Sequence, residues 1–473
     1  MDHSPSRAGP EPAPLLGLRE AVMLIVGVVI GAGIFKAPSM VAGMSGGTEW
    51  MFAAWLLGGV ISLIGALCYA ELATAYPHAG GDYHFLKRAS GRSVSFLFGW
   101  ARFSVITTGS IALLAFVFGD YMQQALPLDL GGRISGPAVY ALAAIAVLWW
   151  VNSRGVKAGC SAQSWLTGVE VGGLLLIVVA ALWLAAGSVA PQAPAAASAA
   201  AGSGPSAAGF GLAMVFVLLT YGGWNEAGYI SAELKDERRN MVRALVYSIL
   251  IITALYLLVT WAYWHGLGLE GMAKSEALAA DLMGRAFGPV GEKVISVLVA
   301  IAAVTSINAT MIVGARTNYA VGRDWPALQK LALWDADRGT PANAMLLQNV
   351  AALALVLLGA WTGSGFRSMV EFTAPVFWLF FLLTGLALFV LRAREPNVER
   401  PFKVPLYPLL PALFCATCAY MLWSSLSYVY SQSLGGLNAA WIGVAVLAAG
   451  GVILWLVGMV PRRGPLAAGQ QIR

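Results

Sequence analysis

Two glycine clusters, one carboxylate and one lysine stand where chemistry could be done in this sequence. Gly31-Ala32-Gly33 and Gly222-Gly223 interrupt otherwise apolar stretches, Glu170 lies within another, and Lys36 follows the first cluster by three residues. Glycine costs roughly 1 kcal/mol against alanine inside a helix, so such clusters invite unwinding. A broken helix exposes free N–H groups with partial positive charge at the start of its second half, which suits a carboxylate. It exposes free carbonyls at the end of its first half, which suit an ammonium or a metal cation. One break offering both ends, faced by a second, matches the zwitterionic headgroup of an α-amino acid. The competing reading of the first cluster is close helix packing, since Gly27-Val28-Val29-Ile30-Gly31 is also a GxxxG pattern.

The elements that must carry these breaks are membrane spans. Of the 473 residues, 59% are hydrophobic and only 11% charged, far too few for the surface of a soluble domain of that length. Apolar runs of about 20 residues recur from end to end, each long enough to cross a hydrocarbon core about 30 Å thick. About twelve spans are expected, near 18–43, 49–75, 95–124, 136–153, 161–187, 209–231, 241–268, 289–315, 342–361, 369–391, 405–430 and 437–460. The fold class is an all-α polytopic membrane protein. Unwound backbone at membrane depth is tolerated only where it lines a cavity or is buried in protein, so the glycine breaks imply a cavity.

The expected organisation is a disordered cytoplasmic tail (1–16), a first five-helix block (17–187), a flexible outer linker (188–208) and a second five-helix block (209–391). Two additional helices (392–460) and a cytoplasmic tail (461–473) follow. A break at the start of each five-span block points to an inverted repeat, because an odd number of spans reverses the second block in the membrane. Of the 29 Lys and Arg, only Arg133, Lys274, Arg285, Lys293 and Arg367 fall on one side's loops, and Lys36 and Arg102 lie within spans. The other side carries clusters such as Lys87, Arg88 and Arg92, or Arg392, Arg394, Arg400 and Lys403. This bias places both termini in the cytoplasm and explains the net charge of +6 without a nucleic-acid partner. The expected location is the plasma membrane, in a bacterium the inner membrane. The N-terminus lacks the pattern of a cleaved signal peptide. Cys68, Cys160, Cys415 and Cys418 lie in or beside apolar segments, where packing is the expected role.

The chain resembles the amino acid–polyamine–organocation transporters, close to their L-type amino acid branch, over nearly its whole length. The matching stretches are "VGVVIGAGIF", "YAELATAYPHAGGDYHFLKRASG", "FLFGWARFSVITTGSIALLA", "TYGGWNEAGYISAELKDERRN", "INATMIVGARTNYAVGRDWP" and "RPFKVPLYPLLP". The resemblance implies a five-plus-five inverted repeat, alternating access, and substrate binding at the breaks of spans 1 and 6. By motif, the amides of Gly31, Ala32 and Gly33 would hold a carboxylate. The carbonyls of Val29, Ile30, Leu219 and Thr220 would hold an amine beside Gly222 and Gly223, while Tyr221 and Trp224 would cap or gate the side chain. Light chains of heteromeric exchangers use a cysteine in the outer loop between spans 3 and 4. Here that loop, "QALPLDLGGRISG", has none, so no disulfide-linked accessory subunit is expected.

Span 5 departs from the family, whose sodium-independent members often carry a lysine in a T-x-x-K pattern. Glu170 after Thr167 stands there instead, about 13 Å into the span at 1.5 Å per residue. An ionised acid at a helix centre costs about 2.5–3.5 kcal/mol, so Glu170 should be protonated, paired or next to water. In the family fold it would face span 1 together with Thr305 and Ser306. Such an oxygen cluster could hold a proton, the favoured ion, or a hard cation such as sodium. A structural hydrogen bond is the alternative. Lys36 could face the outer vestibule, pair with an acid such as Glu49, tune substrate charge preference or snorkel to the interface. Arg102 is expected at the inner face, and Glu71, Glu226 and Glu233 as structural or gate ion pairs.

The expected function is secondary active transport of L-amino acids by alternating access, proton-coupled. Obligate exchange, sodium symport and a transporter-like sensor are the alternatives. No enzyme, cofactor or resident metal is expected: the four His are not paired at ligand spacing and no phosphate loop or nucleotide fingerprint occurs.

Overall fold

The computed structural model describes residues 17–77, 81–129, 135–154, 159–186, 205–225, 236–335, 341–362, 365–431 and 439–458. The two expected tails, nearly all of the linker, and Arg133, Glu226 and Glu233 lie outside the described residues, as do the side chains of Cys160 and Thr167. The described residues form fifteen α-helices: α1 Leu18–Val29, α2 Ala37–Met44, α3 Thr48–Ala75, α4 Gly81–Ser90, α5 Arg92–Ala101, α6 Thr108–Ala125, α7 Gly136–Ser153, α8 Gly159–Ala186, α9 Ala207–Thr220, α10 Glu237–Lys274, α11 Leu278–Asp324, α12 Ala342–Thr362, α13 Gly365–Arg394, α14 Leu409–Ser431 and α15 Ala439–Gly458. Among the described residues nine helices are long and apolar enough to cross a membrane, and Gly209–Thr220 and Ala440–Leu456 are shorter apolar helices. The protein is a polytopic helical membrane protein. Its inner side is named here for the basic clusters around α4 and the 395–408 loop.

Most expected spans fall within a few residues of a helix, because runs of Leu, Val, Ala and Ile leave the hydrocarbon core as their only favourable surroundings. Two differences are informative. The expected spans ending at 268 and starting at 289 are parts of longer helices that bend at Gly268 (φ 70°) and Gly288 (φ 68°). Only glycine adopts that left-handed backbone without strain, and the bends turn Leu269–Lys274 and Leu278–Phe287 aside as outer helical segments. The basic stretch between spans 2 and 3, left without an element in the expected spans, forms the short inner helix α4.

The buried fraction separates centre from rim. The most apolar windows of α3, of the α5–α6 span and of α13 are each 61% buried, against 28% for α7. Accordingly α3, α6 and α13 form the interior, and α7 covers α6 at the lipid-facing edge. Span 3 is continuous from Arg92 to Ala125, but a wide turn at Arg102–Thr107 separates α5 from α6. Turns of this π type are frequent at functional sites.

Candidate functional site

The first break occupies Ile30–Lys36. Helix α1 ends at Val29, Gly31 is extended (φ −111°, ψ −173°), a 3-10 turn covers Ala32–Phe35, and α2 resumes with Pro38 in its first turn. Neither Gly31 nor Gly33 has a left-handed φ, and a Cβ on either would meet only ordinary contacts, 3.8 Å to Ser306 and 3.6 Å to Thr220. Their effect is low helix propensity and bare backbone. The Gly31 amide donates to the Val29 carbonyl at 2.9 Å, so it is already used in this conformation. Ala32 and Gly33 open the 3-10 turn, where the first amides have no acceptor within the turn.

The second break follows α9 at Tyr221–Asn225. The Leu219 carbonyl accepts the Gly222 amide at 3.1 Å, and the Thr220 hydroxyl donates to the Phe216 carbonyl at 2.8 Å. A residue that the sequence did not single out joins the two breaks. The Tyr256 hydroxyl, from α10, lies 3.1 Å from the Val29 carbonyl and 3.1 Å from the Thr220 carbonyl. Two carbonyls expected at an amine site are thus bridged by one phenol. Nothing distinguishes Tyr256 from other span tyrosines in sequence.

Both breaks face one cavity of about 410 Å³, within the range of small-molecule sites of roughly 300–1,000 Å³. Gly31, Gly33, Thr220, Gly222, Gly223 and Ser306 line it, as does Val29. From the breaks it extends along α5, α6 and α13 towards Phe98, Phe380 and Thr384. Arg102, expected at the inner face, lines this cavity together with Asp82 at the start of α4, and the two are 8% and 4% exposed. The wide turn that begins at Arg102 also brings Ile106 and Thr107 to the cavity wall.

The aromatic residues of the second break sit elsewhere. Tyr221 is buried against α3, donates to the Trp55 carbonyl at 3.0 Å, and is not among the cavity-lining residues. Trp224 packs edge-on against Tyr69 (5.1 Å between centroids) and Phe381 (5.7 Å), behind a wall that those two rings present to the cavity.

Glu170 is 3% exposed and, among the described residues, has no hydrogen-bond or ion-pair partner. It lies within electrostatic range of Tyr256. Thr305 donates to the Ile301 carbonyl at 2.9 Å, whereas Ser306 lines the cavity beside Gly31. No described contact gathers Glu170, Thr305 and Ser306 into an oxygen cluster.

Lys36 pairs with acids, one of the roles that the sequence left open. It does not snorkel, being 2% exposed, and its partners are Asp120 of α6 at 2.8 Å and Glu276 between α10 and α11, not Glu49. Asp120 was legible in principle, since an acid inside an apolar span is a functional candidate by default. Glu276, on an exposed turn, carries no such signal.

On the inner side, Glu71 is fully buried and accepts both Arg392 and the Val404 amide. Arg88 reaches Glu395 at 2.8 Å, and its hydrogen bond holds the Glu395 carboxyl below the usual carboxylate range. Asp324 accepts from Tyr83 at 2.8 Å and from Lys87 at 3.3 Å.

A family model described as amino acid permease matches residues 16–450. The human b(0,+)-type amino acid transporter 1 is 30% identical over 408 residues, covering 86% of this chain and 81% of its own. The mouse Asc-type amino acid transporter 1 is 29% identical, over 86% of this chain and 75% of its own. The serine/threonine exchanger SteT of Bacillus subtilis (strain 168) is 29% identical over 415 residues, 87% of this chain and 91% of its own.

Proposed function

The chain belongs to the amino acid permease family, and from that premise we propose that it moves L-amino acids across the plasma membrane by alternating access. The observation that carries this reading is the pair of helix breaks opening on one cavity. The Gly33 amide, on a cavity-lining residue, and the Ala32 amide before it would take the carboxylate. The ammonium would take the Ile30 carbonyl and compete with Tyr256 for those of Val29 and Thr220. Both termini lie in the cytoplasm in this reading, following the distribution of Lys and Arg. Uptake of a panel of labelled amino acids into proteoliposomes tests it. Saturable uptake of at least one is expected, and none under any gradient or in exchange would sink the proposal.

The coupling ion in this reading is a proton, carried by Glu170. A buried acid with no described partner would bear an uncompensated charge, and taking up a proton removes that cost. Tyr256 offers the route from its protonation state to both breaks. Glu170→Gln should lower uptake driven by an imposed proton gradient at least tenfold and leave exchange against internal amino acid standing. Proton-driven uptake equal to that of the parent would rule the coupling role out, and sodium-driven uptake in the parent would name the other ion.

Exchange is the second reading, supported by the serine/threonine exchanger among the relatives. Uptake that appears only when vesicles are preloaded with amino acid would favour it over proton symport. Serine and threonine belong in the panel for the same reason.

A further inference from the structure

The lysine after the first break has a place in the molecule that amino acid binding does not use. Lys36 stands between the 3-10 turn and α2, where the sequence is otherwise apolar. Its ammonium has three N–H groups and meets three acceptors: the Asp120 carboxylate at 2.8 Å, the Glu276 backbone carbonyl at 2.6 Å and the Glu276 carboxylate. The donors are therefore saturated, which is how a cation is tolerated at 2% exposure.

These acceptors come from different elements. Asp120 belongs to α6, and Glu276 to the turn that joins the outer ends of α10 and α11. The neighbouring bonds cross the same seam. Ser39 of α2 donates to the Ser275 carbonyl at 2.8 Å. Tyr121 of α6 donates to the Phe35 carbonyl at 2.8 Å and accepts from the Ala279 amide at 3.2 Å. All of these contacts lie at the seam between α2 and residues 275–279, on the outer side of the first break, while the cavity lining reaches Asp82 and Thr384 towards the inner side and Val370 and Phe366 at the other end of α13.

We propose that Lys36, Asp120 and Glu276 form an outer latch that holds the carrier closed to the outside. The proposal rests on the alternating-access reading. For the cavity to open outward, α2 must part from the 275–279 turn, and the bonds from Lys36 to Glu276 must break. Asp120 and Lys36 can remain together during that movement, so no charge is left buried alone. Glu276, with a side chain 76% exposed, is the partner that moves away into water. The latch therefore sets the share of carriers that face outward in the absence of substrate.

The exposed partner gives a clean test. Glu276→Gln removes its carboxylate while Asp120 keeps Lys36 paired, so folding is spared. Ser39→Cys reports on the seam, because Ser39 is 1% exposed and bonded across it. In right-side-out vesicles carrying the full chain, a membrane-impermeant maleimide should label Ser39→Cys slowly. Labelling should be about tenfold faster when Glu276→Gln is added, the factor expected when one charge-assisted hydrogen bond is replaced by a neutral one. Glu270→Gln, which removes only the pair with Lys274 on the outer helical segment, should leave the rate unchanged. Equal rates with and without Glu276→Gln would overturn the latch, as would an equal acceleration by Glu270→Gln. Labelling does not require transport. Faster labelling in vesicles that take up no amino acid would keep the latch and remove the transport reading instead.

Discussion

Tyr256→Phe is expected to slow transport about tenfold or more while leaving membrane yield unchanged. The ring makes its packing contacts without the hydroxyl, at 5.0 Å from Tyr221 and 5.7 Å from Trp55, so phenylalanine fills the same space. What is lost is the single donor shared by the Val29 and Thr220 carbonyls. The Val29 carbonyl retains the Gly31 amide. The Thr220 carbonyl, in the middle of a buried break, loses its Tyr256 donor. A buried acceptor stripped of its donor costs about 1–3 kcal/mol, which is roughly five- to 150-fold in any equilibrium that depends on break geometry. Initial uptake rates, normalised to protein reconstituted, measure the effect. A rate within twofold of the parent would mean that the bridge does not govern the breaks. If Glu170 acts through Tyr256, the double variant with Glu170→Gln should be less impaired than the product of the two single effects.

The membrane architecture was readable because it rests on composition over long windows. Runs of about 20 apolar residues have one favourable environment, and the helices α3, α7 and α12 begin and end within a residue or two of their expected limits. The break at Gly31–Gly33 was readable for the same reason in reverse, since two glycines in one turn are expensive there. The partners of Lys36 were not readable. Glu276 is 240 positions away in the chain, and pairing across that distance depends on how α10 and α11 bend at Gly268 and Gly288. Those glycines look like many others in the sequence, and only their positive φ marks them. The packing of Tyr221 and Trp224 was not readable either. Aromatic residues beside a glycine pair suggest a gate, and only the fold shows that their rings lie against Trp55 and against Tyr69 with Phe381. Arg102 was expected at the inner face, and what the sequence did not show is that it lines the cavity, at the start of the wide turn Arg102–Thr107.

Glu71→Gln is expected to be the most destabilising single change on the inner side, by about 3–5 kcal/mol, the usual cost of breaking a buried ion cluster from one side. The Glu71 side chain is 1% exposed. One oxygen accepts Nε of Arg392 at 2.7 Å, and the other accepts Nη2 of Arg392 and the Val404 amide, the latter at 2.7 Å. Arg400 lies 3.5 Å from the first oxygen and also donates to the Leu391 and Glu395 carbonyls that end α13. One carboxylate therefore ties α3 to α13 and to the loop leading into α14. Glutamine has the same shape but no charge, so two guanidinium groups would stay in the protein without their counterion. The loss should reach the cavity as well, since Tyr69 of α3 and Phe377, Phe381 and Thr384 of α13 line it. Thermal unfolding in detergent should show a midpoint lower by several degrees. The direction of the effect in a double-mutant cycle separates an ion cluster from simple packing. Arg392→Gln should cost much less in the Glu71→Gln background than in the parent, because it then removes a stranded charge. Equal costs in the two backgrounds would mean that Glu71 and Arg392 contribute independently, and the tie between α3 and α13 would have to come from their apolar contacts alone.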